Sequence, residues 1–283
     1  MKILVLGVTG MLGNTVFKVL SNTYDVWGTL RNSSGKGFFS DELHNKIISG
    51  VDVLNHDELV NLLTKVKPDI VINCVGLIKQ LSNAKDPLVA LPINAMFPHR
   101  LARLCGLIGT RVVHISTDCI FSGDEGLYVE SDVSDAHDIY GKSKYIGELN
   151  NYAHCITLRT SIIGHELNSK ASLVDWFLGQ DSHVKGFNQA IFSGLPTVEL
   201  AKIIRDYVIP HSDLAGLYHV SSEPIDKCTL LELIAEVYKK EIEIVSDATL
   251  TINRSLDSMR FKETTGYQPP NWKSLVQVMF DNR

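Results

Sequence analysis

Through the first 165 residues, short runs of apolar and β-branched residues alternate with segments whose apolar positions recur at helical spacing. Apolar runs bounded by turn residues predict buried strands, and an apolar residue every three to four positions predicts a helix that packs one face. Strands are predicted over residues 2–7, 25–30, 69–76, 111–115 and 156–162, with a short strand inside 45–53, and helices over 58–65, 94–107 and 139–154. Such alternation is typical of an α/β fold with a Rossmann-like, doubly wound parallel sheet.

The second half of the chain is less regular. Its pattern predicts helices over residues 172–179, 198–208 and 230–240 and a strand over 216–222, followed by a charged segment that ends in the turn QPPNW. No repeat, low-complexity stretch or linker separates the two halves. We therefore expect a sheet domain over residues 1–165 and, over residues 166–283, mainly a small C-terminal lobe from which some segments return to the first domain.

Three glycines follow the first predicted strand. Gly7, Gly10 and Gly13 form G-x-x-G-x-x-G, and the apolar spacing becomes helical after them. Glycines let a backbone approach a pyrophosphate, and the N-terminus of the next helix offers free N–H groups and the positive end of the helix dipole. The pattern favours a dinucleotide site over the alternative, a tight turn that binds no ligand.

Tyr140 and Lys144 are four residues apart in the run IYGKSKYIGE, within a predicted helix. Residues at i and i+4 share one face of a helix, so a phenol and an ammonium are expected side by side. A nearby cation lowers the pKa of a phenol from its usual value near ~10, which suits general acid–base chemistry at neutral pH. Thr117, at the end of the preceding strand, supplies a hydroxyl that holds a substrate oxygen or, alternatively, caps the next turn.

The end of the second predicted strand indicates which dinucleotide is bound. An acidic residue at this position binds the ribose 2′-hydroxyl of NAD, whereas an arginine accommodates the 2′-phosphate of NADP. The run after this strand contains no acid, and Arg31 follows directly, with Lys36 nearby. The sequence therefore favours NADP(H) over NAD(H), the alternative being that Arg31 is a solvated loop charge.

Composition narrows the function further. The formal net charge is −5 and no basic stripe is present, so nucleic acid is not an expected partner. The five cysteines form no C-x-x-C, which fits a reducing cytoplasm, and no Cys/His cluster has metal-ligand spacing. We therefore expect no metal site. No apolar stretch approaches the ~20 residues of a membrane span, so we do not expect a membrane partner either.

Taken together, these motifs resemble one family. GVTGMLG, NCVG, INAMFPHRLA, VVHISTDCIFSG, YGKSKYIGE, LRTS, GLPTVELA and GLYHVSS occur in the order found in extended short-chain dehydrogenase/reductases of the dTDP-4-dehydrorhamnose reductase family. The resemblance implies an NADPH-dependent reductase of the C4 keto group of a nucleotide-linked 6-deoxy-hexos-4-ulose, for surface polysaccharide synthesis. It also implies that residues 1–165 bind NADP(H), that residues 166–283 mainly bind substrate, and that the chain forms a homodimer.

The same resemblance assigns site residues. Thr117, Tyr140 and Lys144 are expected to be catalytic, with Tyr140 as the proton donor. The residues expected to bind the cofactor are Gly7, Thr9, Gly10, Met11, Leu12, Gly13, Arg31, Asp52, Val53, Cys74, Val75, Gly76, Asn94, Ser116, Tyr140 and Lys144. The residues expected to bind the substrate are Lys79, Asp118, Cys119, Ser161, His165 and Arg254. Exposed loop charges are common, so Lys79 and His165 also fit a purely solvated role.

Two positions depart from the family pattern. Cys119 stands where the family usually has an aromatic residue, and Ile162 stands where it often has tryptophan. The smaller side chains favour, as an alternative substrate, a UDP-linked 2-acetamido-2,6-dideoxy-hexos-4-ulose. A 4,6-dehydratase is disfavoured because related dehydratases have Thr-Asp-Glu where this chain has Thr-Asp-Cys. A further alternative is a non-catalytic, NADP-binding regulatory subunit, although all three catalytic residues are present.

Overall fold

The computed structural model describes residues 1–77, 82–167, 169 and 171–283. In chain order, the strands of these residues are β1 (Lys2–Leu6), β2 (Asp25–Leu30), β3 (Ile47–Ser49), β4 (Ile70–Asn73), β5 (Arg111–Thr117), β6 (Cys155–Thr160), β7 (Ile162–Ile163), β8 (His183–Phe187), β9 (Ala190–Phe192), β10 (Leu195–Pro196), β11 (Gly216–His219), β12 (Ile225–Asp226), β13 (Glu243–Asp247) and β14 (Ile252–Asn253).

Seven of these strands form the central sheet, in the order β11-β6-β5-β4-β1-β2-β3. Strands β1 to β5 pair in parallel with their neighbours in this order. All residues of β4 are buried, as expected for a central parallel strand covered on both faces. The order β3-β2-β1-β4-β5-β6 is that of a doubly wound dinucleotide-binding sheet, so the predicted Rossmann-like fold class is confirmed.

Helices connect and cover the strands. In chain order they are α1 (Met11–Ser21), α2 (Asp41–His44), α3 (His56–Val66), α4 (Pro87–Ala90), α5 (Phe97–Leu107), α6 (Ile139–Ile146), α7 (Leu173–Leu178), α8 (Thr197–Ile203), α9 (Lys227–Tyr238), α10 (Met259–Thr265) and α11 (Trp272–Asp281). Polar side chains cap several N-termini: Asn55 caps α3, Asp138 caps α6 and Asp226 caps α9. No helix of the described residues has the length and apolar character that crossing a bilayer requires.

The chain divides into two compact units. Unit 1 comprises Met1–Ser116, His137–Leu158 and Ser212–Leu217, and its core joins strands β1, β4 and β5 to helices α3 and α5. Unit 2 comprises Thr117–Ala136, Arg159–His211 and Tyr218–Arg283. A small cluster in unit 2 contains Ile120, Phe121, Tyr128 and Leu256.

Some helices differ from their predicted lengths. The pattern predicts one helix over residues 139–154, but α6 ends at Ile146 and Gly147 follows as its C-cap. A Cβ at position 147 would lie 1.9 Å from the carbonyl oxygen of Asn94, so the backbones approach there more closely than any side chain allows. The first residues of the helix predicted over 94–107 belong to a π-helical segment, Leu91–Met96, and the α-helix itself begins at Phe97. The pattern assigned no helix to α11.

Candidate active site

The glycine turn of unit 1 contains two glycines that the fold requires and one that it does not. Gly7 has φ +83°, a conformation that favours glycine, and a Cβ at Gly13 would lie 2.2 Å from the carbonyl oxygen of Gly7. A Cβ at Gly10 would meet only that same oxygen, at an ordinary 3.5 Å. The packing of the protein therefore explains Gly7 and Gly13, but it leaves Gly10 unexplained without a ligand.

The N-terminus of α1 has the features of an anion site. Gly10 is its N-cap and offers no side chain to the free N–H groups, and no acidic residue lies in the first turn. Thr9 belongs to the turn, while Met11 and Leu12 begin the helix. Backbone N–H groups at a helix N-terminus bind phosphate groups, so this turn can hold a pyrophosphate.

Arg31 follows the last residue of β2 and is exposed; in the described part of the chain it has no hydrogen-bond or ion-pair partner. The 3-10 helix Ser33–Phe38 follows, capped by Asn32. A Cβ at Gly35 would lie 2.7 Å from Cγ2 of Thr9, so this helix packs directly on the glycine turn. The Nζ atom of Lys36 lies 3.4 Å from the carbonyl oxygen of His44, which directs it to its own loop.

Asp52 and Val53 lie in the segment between β3 and α3. The Asp52 carboxylate accepts a hydrogen bond from the N–H of Leu54 at 3.0 Å, and its own N–H donates to Glu58 at 2.7 Å. Val53 packs against the core of unit 1. Both residues therefore follow the carboxyl end of β3, at the same edge of the parallel sheet as the glycine turn after β1. Their contact with adenine stays a prediction.

Residues at the end of β4 are tied to the helix that carries Tyr140. The Oδ1 atom of Asn94 accepts the N–H of Leu77 at 2.9 Å, and its Nδ2 atom donates to Oγ of Ser143 at 3.1 Å. A Cβ at Gly76 would lie 3.5 Å from Oδ1 of Asn94 and 3.8 Å from Nζ of Lys144. The sequence analysis missed Ser143, although its place three residues after Tyr140 puts it on the inner side of α6.

Cys74 and Val75 follow β4 directly. Burial raises the pKa of the Cys74 thiol to about 12, against the opposing effect of the Lys144 ammonium, so the thiol is neutral near pH 7. Its contact with the cofactor stays a prediction. The N–H of Val75 donates to Oδ1 of Asn73 at 3.0 Å. Through its Nδ2 atom Asn73 contacts Nδ1 of the buried His114 at 3.1 Å, and burial holds the pKa of His114 well below its usual value.

Lys144 lies on α6, four residues after Tyr140 as predicted, and is 6 % exposed. Its Nζ atom donates to the carbonyl oxygen of Ile115 at 2.7 Å. Burial lowers the pKa of Lys144 to about 8, while the Glu148 carboxylate acts in the opposite direction. Glu148 itself accepts a hydrogen bond from Oγ of Ser116 at 2.8 Å. The structure thus sets an ammonium with a near-neutral pKa on the helix that carries the phenol.

In unit 2, the predicted residues of the strand ends converge on one carboxyl group, that of Asp118. Oγ1 of Thr117 lies 3.1 Å from Oδ1 of Asp118, and the side chains of Cys119 and Ser161 also hydrogen-bond the Asp118 carboxyl. Burial raises the pKa of Asp118, and the nearby Arg254 opposes this effect. Thr117 ends β5 and Ser161 follows β6, so neighbouring strand ends bring these residues together.

Two predicted substrate contacts are engaged inside unit 2. Arg254 donates from Nε to the carbonyl oxygen of Phe121 at 2.8 Å and from Nη2 to that of Ser122 at 3.2 Å. His165 lies between Asp175, 2.6 Å from Nδ1, and the hydroxyl of Tyr238, 2.8 Å from Nε2. Their contacts with a substrate stay predictions. The predicted phosphate contact of Lys79 lies outside the described residues.

A family model described as the RmlD substrate binding domain matches residues 1–283. A relative from Aggregatibacter actinomycetemcomitans, dTDP-4-dehydrorhamnose reductase, is 23 % identical over 98 % of this chain and 97 % of its own. Methionine adenosyltransferase 2 subunit beta from Danio rerio is 28 % identical over 84 % of this chain and 74 % of its own.

One solved structure illustrates the fold similarity. The crystal structure of dTDP-4-dehydrorhamnose reductase from Bacillus anthracis str. Ames, in complex with NADP, superposes with a TM-score of 0.82 at 21 % identity. It covers 100 % of this chain and 99 % of that one. The two chains therefore share a fold.

Proposed function

The chain belongs to the RmlD substrate binding domain family, and we propose that it is an NADPH-dependent reductase of the C4 keto group of a nucleotide-activated 6-deoxy-hexos-4-ulose. The observation that carries the proposal is the buried ammonium of Lys144, four residues after Tyr140 on α6. The relative that matches nearly the whole chain carries the name dTDP-4-dehydrorhamnose reductase. We propose a substrate of this dTDP-4-dehydro-L-rhamnose type and a role in making sugars for surface polysaccharides.

The residues present fit NADP(H). The packing of the protein does not require glycine at position 10. The N-terminus of α1 has neither an acidic residue in its first turn nor a side-chain cap. The exposed Arg31 has no partner in the part of the chain that the structure describes. Backbone N–H groups suit the pyrophosphate, and the planar guanidinium suits a 2′-phosphate. We propose that Gly10 and Arg31 are the two residues that the cofactor itself requires, with NADP(H) preferred to NAD(H).

The reaction needs a proton donor and a group that stabilises negative charge at the keto oxygen. When bound, NADPH supplies the hydride for the C4 carbon. Tyr140 donates its phenolic proton to the oxygen as charge develops there. The Lys144 ammonium, anchored to the carbonyl oxygen of Ile115, lowers the cost of that charge and contacts the ribose. Thr117 hydrogen-bonds the keto oxygen.

The wider setting is also a proposal. Residues 1–165 would bind the cofactor and residues 166–283 mainly the substrate, as the family resemblance implies. The five cysteines, all among the described residues, form no disulfide, and this agrees with a cytoplasmic enzyme. With a formal charge of −5, nucleic acid is not a proposed partner. By family resemblance we propose a homodimer.

A second substrate deserves a direct comparison because of Cys119 and Ile162. Both side chains are partly exposed in unit 2 and are smaller than the aromatic residues typical of the family. A UDP-linked 2-acetamido-2,6-dideoxy-hexos-4-ulose has a bulkier substituent at C2 than the rhamnose precursor. The alternative function is therefore reduction of this UDP-sugar.

A non-catalytic function is favoured by one observation, the similarity to methionine adenosyltransferase 2 subunit beta. A regulatory subunit of this kind would bind NADP(H) without turning it over. The presence of Thr117, Tyr140 and Lys144 favours catalysis. Binding of the cofactor cannot separate the two functions, but turnover does.

The test is NADPH oxidation with two 4-keto sugars made in situ by dehydratases, one from dTDP-glucose and one from UDP-N-acetylglucosamine, each with and without a partner epimerase. We expect oxidation with the dTDP-linked sugar and a loss of about 10²-fold or more in kcat for Tyr140→Phe, because the proton donor is gone. NADPH should still bind to that variant, because the other residues expected to bind the cofactor are unchanged. Oxidation with the UDP-sugar alone would replace the proposed substrate, and binding without oxidation would favour the regulatory subunit.

A further inference from the structure

The hydroxyl of Thr117 is already engaged within its own turn. Its Oγ1 atom lies 3.1 Å from Oδ1 of Asp118 and accepts a hydrogen bond from the N–H of Cys119 at 3.2 Å. Thr117 is 9 % exposed and Asp118 is 5 % exposed, so water does not compete freely for these contacts. The single proton of this hydroxyl therefore has one principal acceptor, the Asp118 carboxylate.

This geometry conflicts with the role proposed for Thr117. An ionised carboxylate only accepts hydrogen bonds, so Thr117 must donate its one proton to Asp118. A keto oxygen also only accepts. While Asp118 is ionised, Thr117 consequently has no proton to offer to the keto oxygen, and it presents a lone pair instead.

The surroundings of Asp118 favour its neutral form. Burial raises the pKa of Asp118, and it does so against the hydrogen bonds of Thr117, Cys119 and Ser161. Among the described residues, Arg254, from the segment after β14, is the charged group that acts on the Asp118 carboxyl, and its guanidinium also donates to the carbonyl oxygens of Phe121 and Ser122. The carboxyl group is thus protonated over a wider pH range than an exposed aspartate.

We propose that Asp118 is a positioning residue that sets the direction of the Thr117 hydroxyl. A protonated Asp118 donates to Oγ1 of Thr117, which turns the Thr117 proton outward, toward the keto oxygen of the substrate. The inference rests on the proposed reductase function. No proton is consumed in this arrangement: Asp118 keeps its proton throughout the reaction, and Tyr140 supplies the proton that the alkoxide takes up.

The first test does not depend on turnover. Infrared difference spectra of wild type against Asp118→Asn, recorded over a pH titration, isolate the C=O stretch of the protonated Asp118 carboxyl. We expect a band that titrates above the range of exposed aspartates, and a higher midpoint in Thr117→Val because a hydrogen bond to the carboxylate is lost. An unchanged midpoint in Thr117→Val, or the absence of the band, would overturn the proposed link between the two residues.

The second test is the pH dependence of kcat/KM with the keto sugar. In wild type, kcat/KM should fall as pH rises through the pKa of Asp118. This limb of the profile is separate from any change near pH 8 that belongs to Lys144. Asp118→Asn places a permanent donor beside Thr117, so this limb should disappear from the pH profile whatever the level of kcat/KM that the variant retains. In a Thr117→Val background, Asp118→Asn should have no further effect. Asp135→Asn is the matched control, because it removes the charge of a carboxylate that accepts a hydrogen bond from Ser122.

The two tests separate this inference from the function on which it rests. A retained limb in Asp118→Asn, or additive losses in the double variant, would contradict the positioning role even in an active reductase. Absence of turnover with every keto sugar would contradict the reductase function. The infrared midpoint would still decide whether Asp118 and Thr117 are coupled.

Discussion

At the residue scale, Lys144 shows how burial tunes the pKa of a group that we propose to be catalytic. The spacing of Tyr140 and Lys144 is visible in the sequence because i and i+4 is a local relation. The burial of Lys144 and its hydrogen bond to the carbonyl oxygen of Ile115 depend on residues that are distant in the chain. For the same reason the sequence identified Thr117 and Asp118 as neighbours, yet the convergence of Ser161 and Arg254 on Asp118 required the fold.

The pKa of Lys144, about 8, predicts a limb in the pH profile. The ammonium is the active form, so kcat/KM for keto reduction should fall as pH rises through about 8. Lys144→Arg keeps a positive charge to much higher pH, so this variant should lose the limb even where its overall rate is lower. The measurement is kcat/KM against pH for both proteins. A wild-type profile that stays flat through this range would contradict the role of the ammonium.

At the element scale, the sequence predicted the first strand, the glycine turn and α1, because each signal lies within a few neighbouring residues. The bounds of β2 match the predicted range, residues 25–30. The end of α6 could not be predicted, since it depends on the approach of Gly147 to the carbonyl oxygen of Asn94. The π-helical segment Leu91–Met96, which contains Asn94, carries no pattern that distinguishes it from an α-helix.

A matched pair of variants tests the glycine turn. Gly13→Ala places a Cβ 2.2 Å from a backbone oxygen, so the free energy of unfolding should fall by about 2 kcal/mol or more. Gly10→Ala has room, so its stability should stay within about 1 kcal/mol of wild type. Its affinity for NADPH should nevertheless fall by tenfold or more, because the methyl group blocks the pyrophosphate. Denaturant unfolding and NADPH titration measure the two effects. Unchanged NADPH binding in Gly10→Ala would contradict the proposed cofactor site.

At the scale of the whole molecule, the sequence predicted a Rossmann-like sheet domain over residues 1–165 and, over residues 166–283, a lobe from which some segments return to the first domain. In the structure, each of the two units is assembled from three segments of the chain. Such a division depends on which loops leave the sheet and return, and hydrophobic periodicity does not encode that. The strand pairs of unit 2, such as β13 with β8, were not predicted, because hydrophobic periodicity does not specify which runs pair with each other.

Cofactor choice is a property of the folded chain and can be measured by its stability. NADPH at a hundred times its Kd should stabilise the protein by about 2.7 kcal/mol, and NADH at the same concentration should stabilise it less. Arg31→Ala should weaken NADPH binding by about tenfold or more and leave NADH binding unchanged, because only NADPH carries the 2′-phosphate. Thermal shift with each cofactor gives the comparison. Equal losses for both cofactors would show that Arg31 does not read the phosphate.

The proposed function requires that this chain transfers hydride from NADPH to C4 of a nucleotide-linked keto sugar. The most direct measurement uses NADPH deuterated at the transferred position of the nicotinamide, with the product analysed by mass spectrometry and NMR. We expect a single deuterium at C4 of the sugar in the wild-type product, and almost no deuterated product from Tyr140→Phe in the same time. A recovered keto sugar without deuterium, despite saturating bound NADPH, would contradict it.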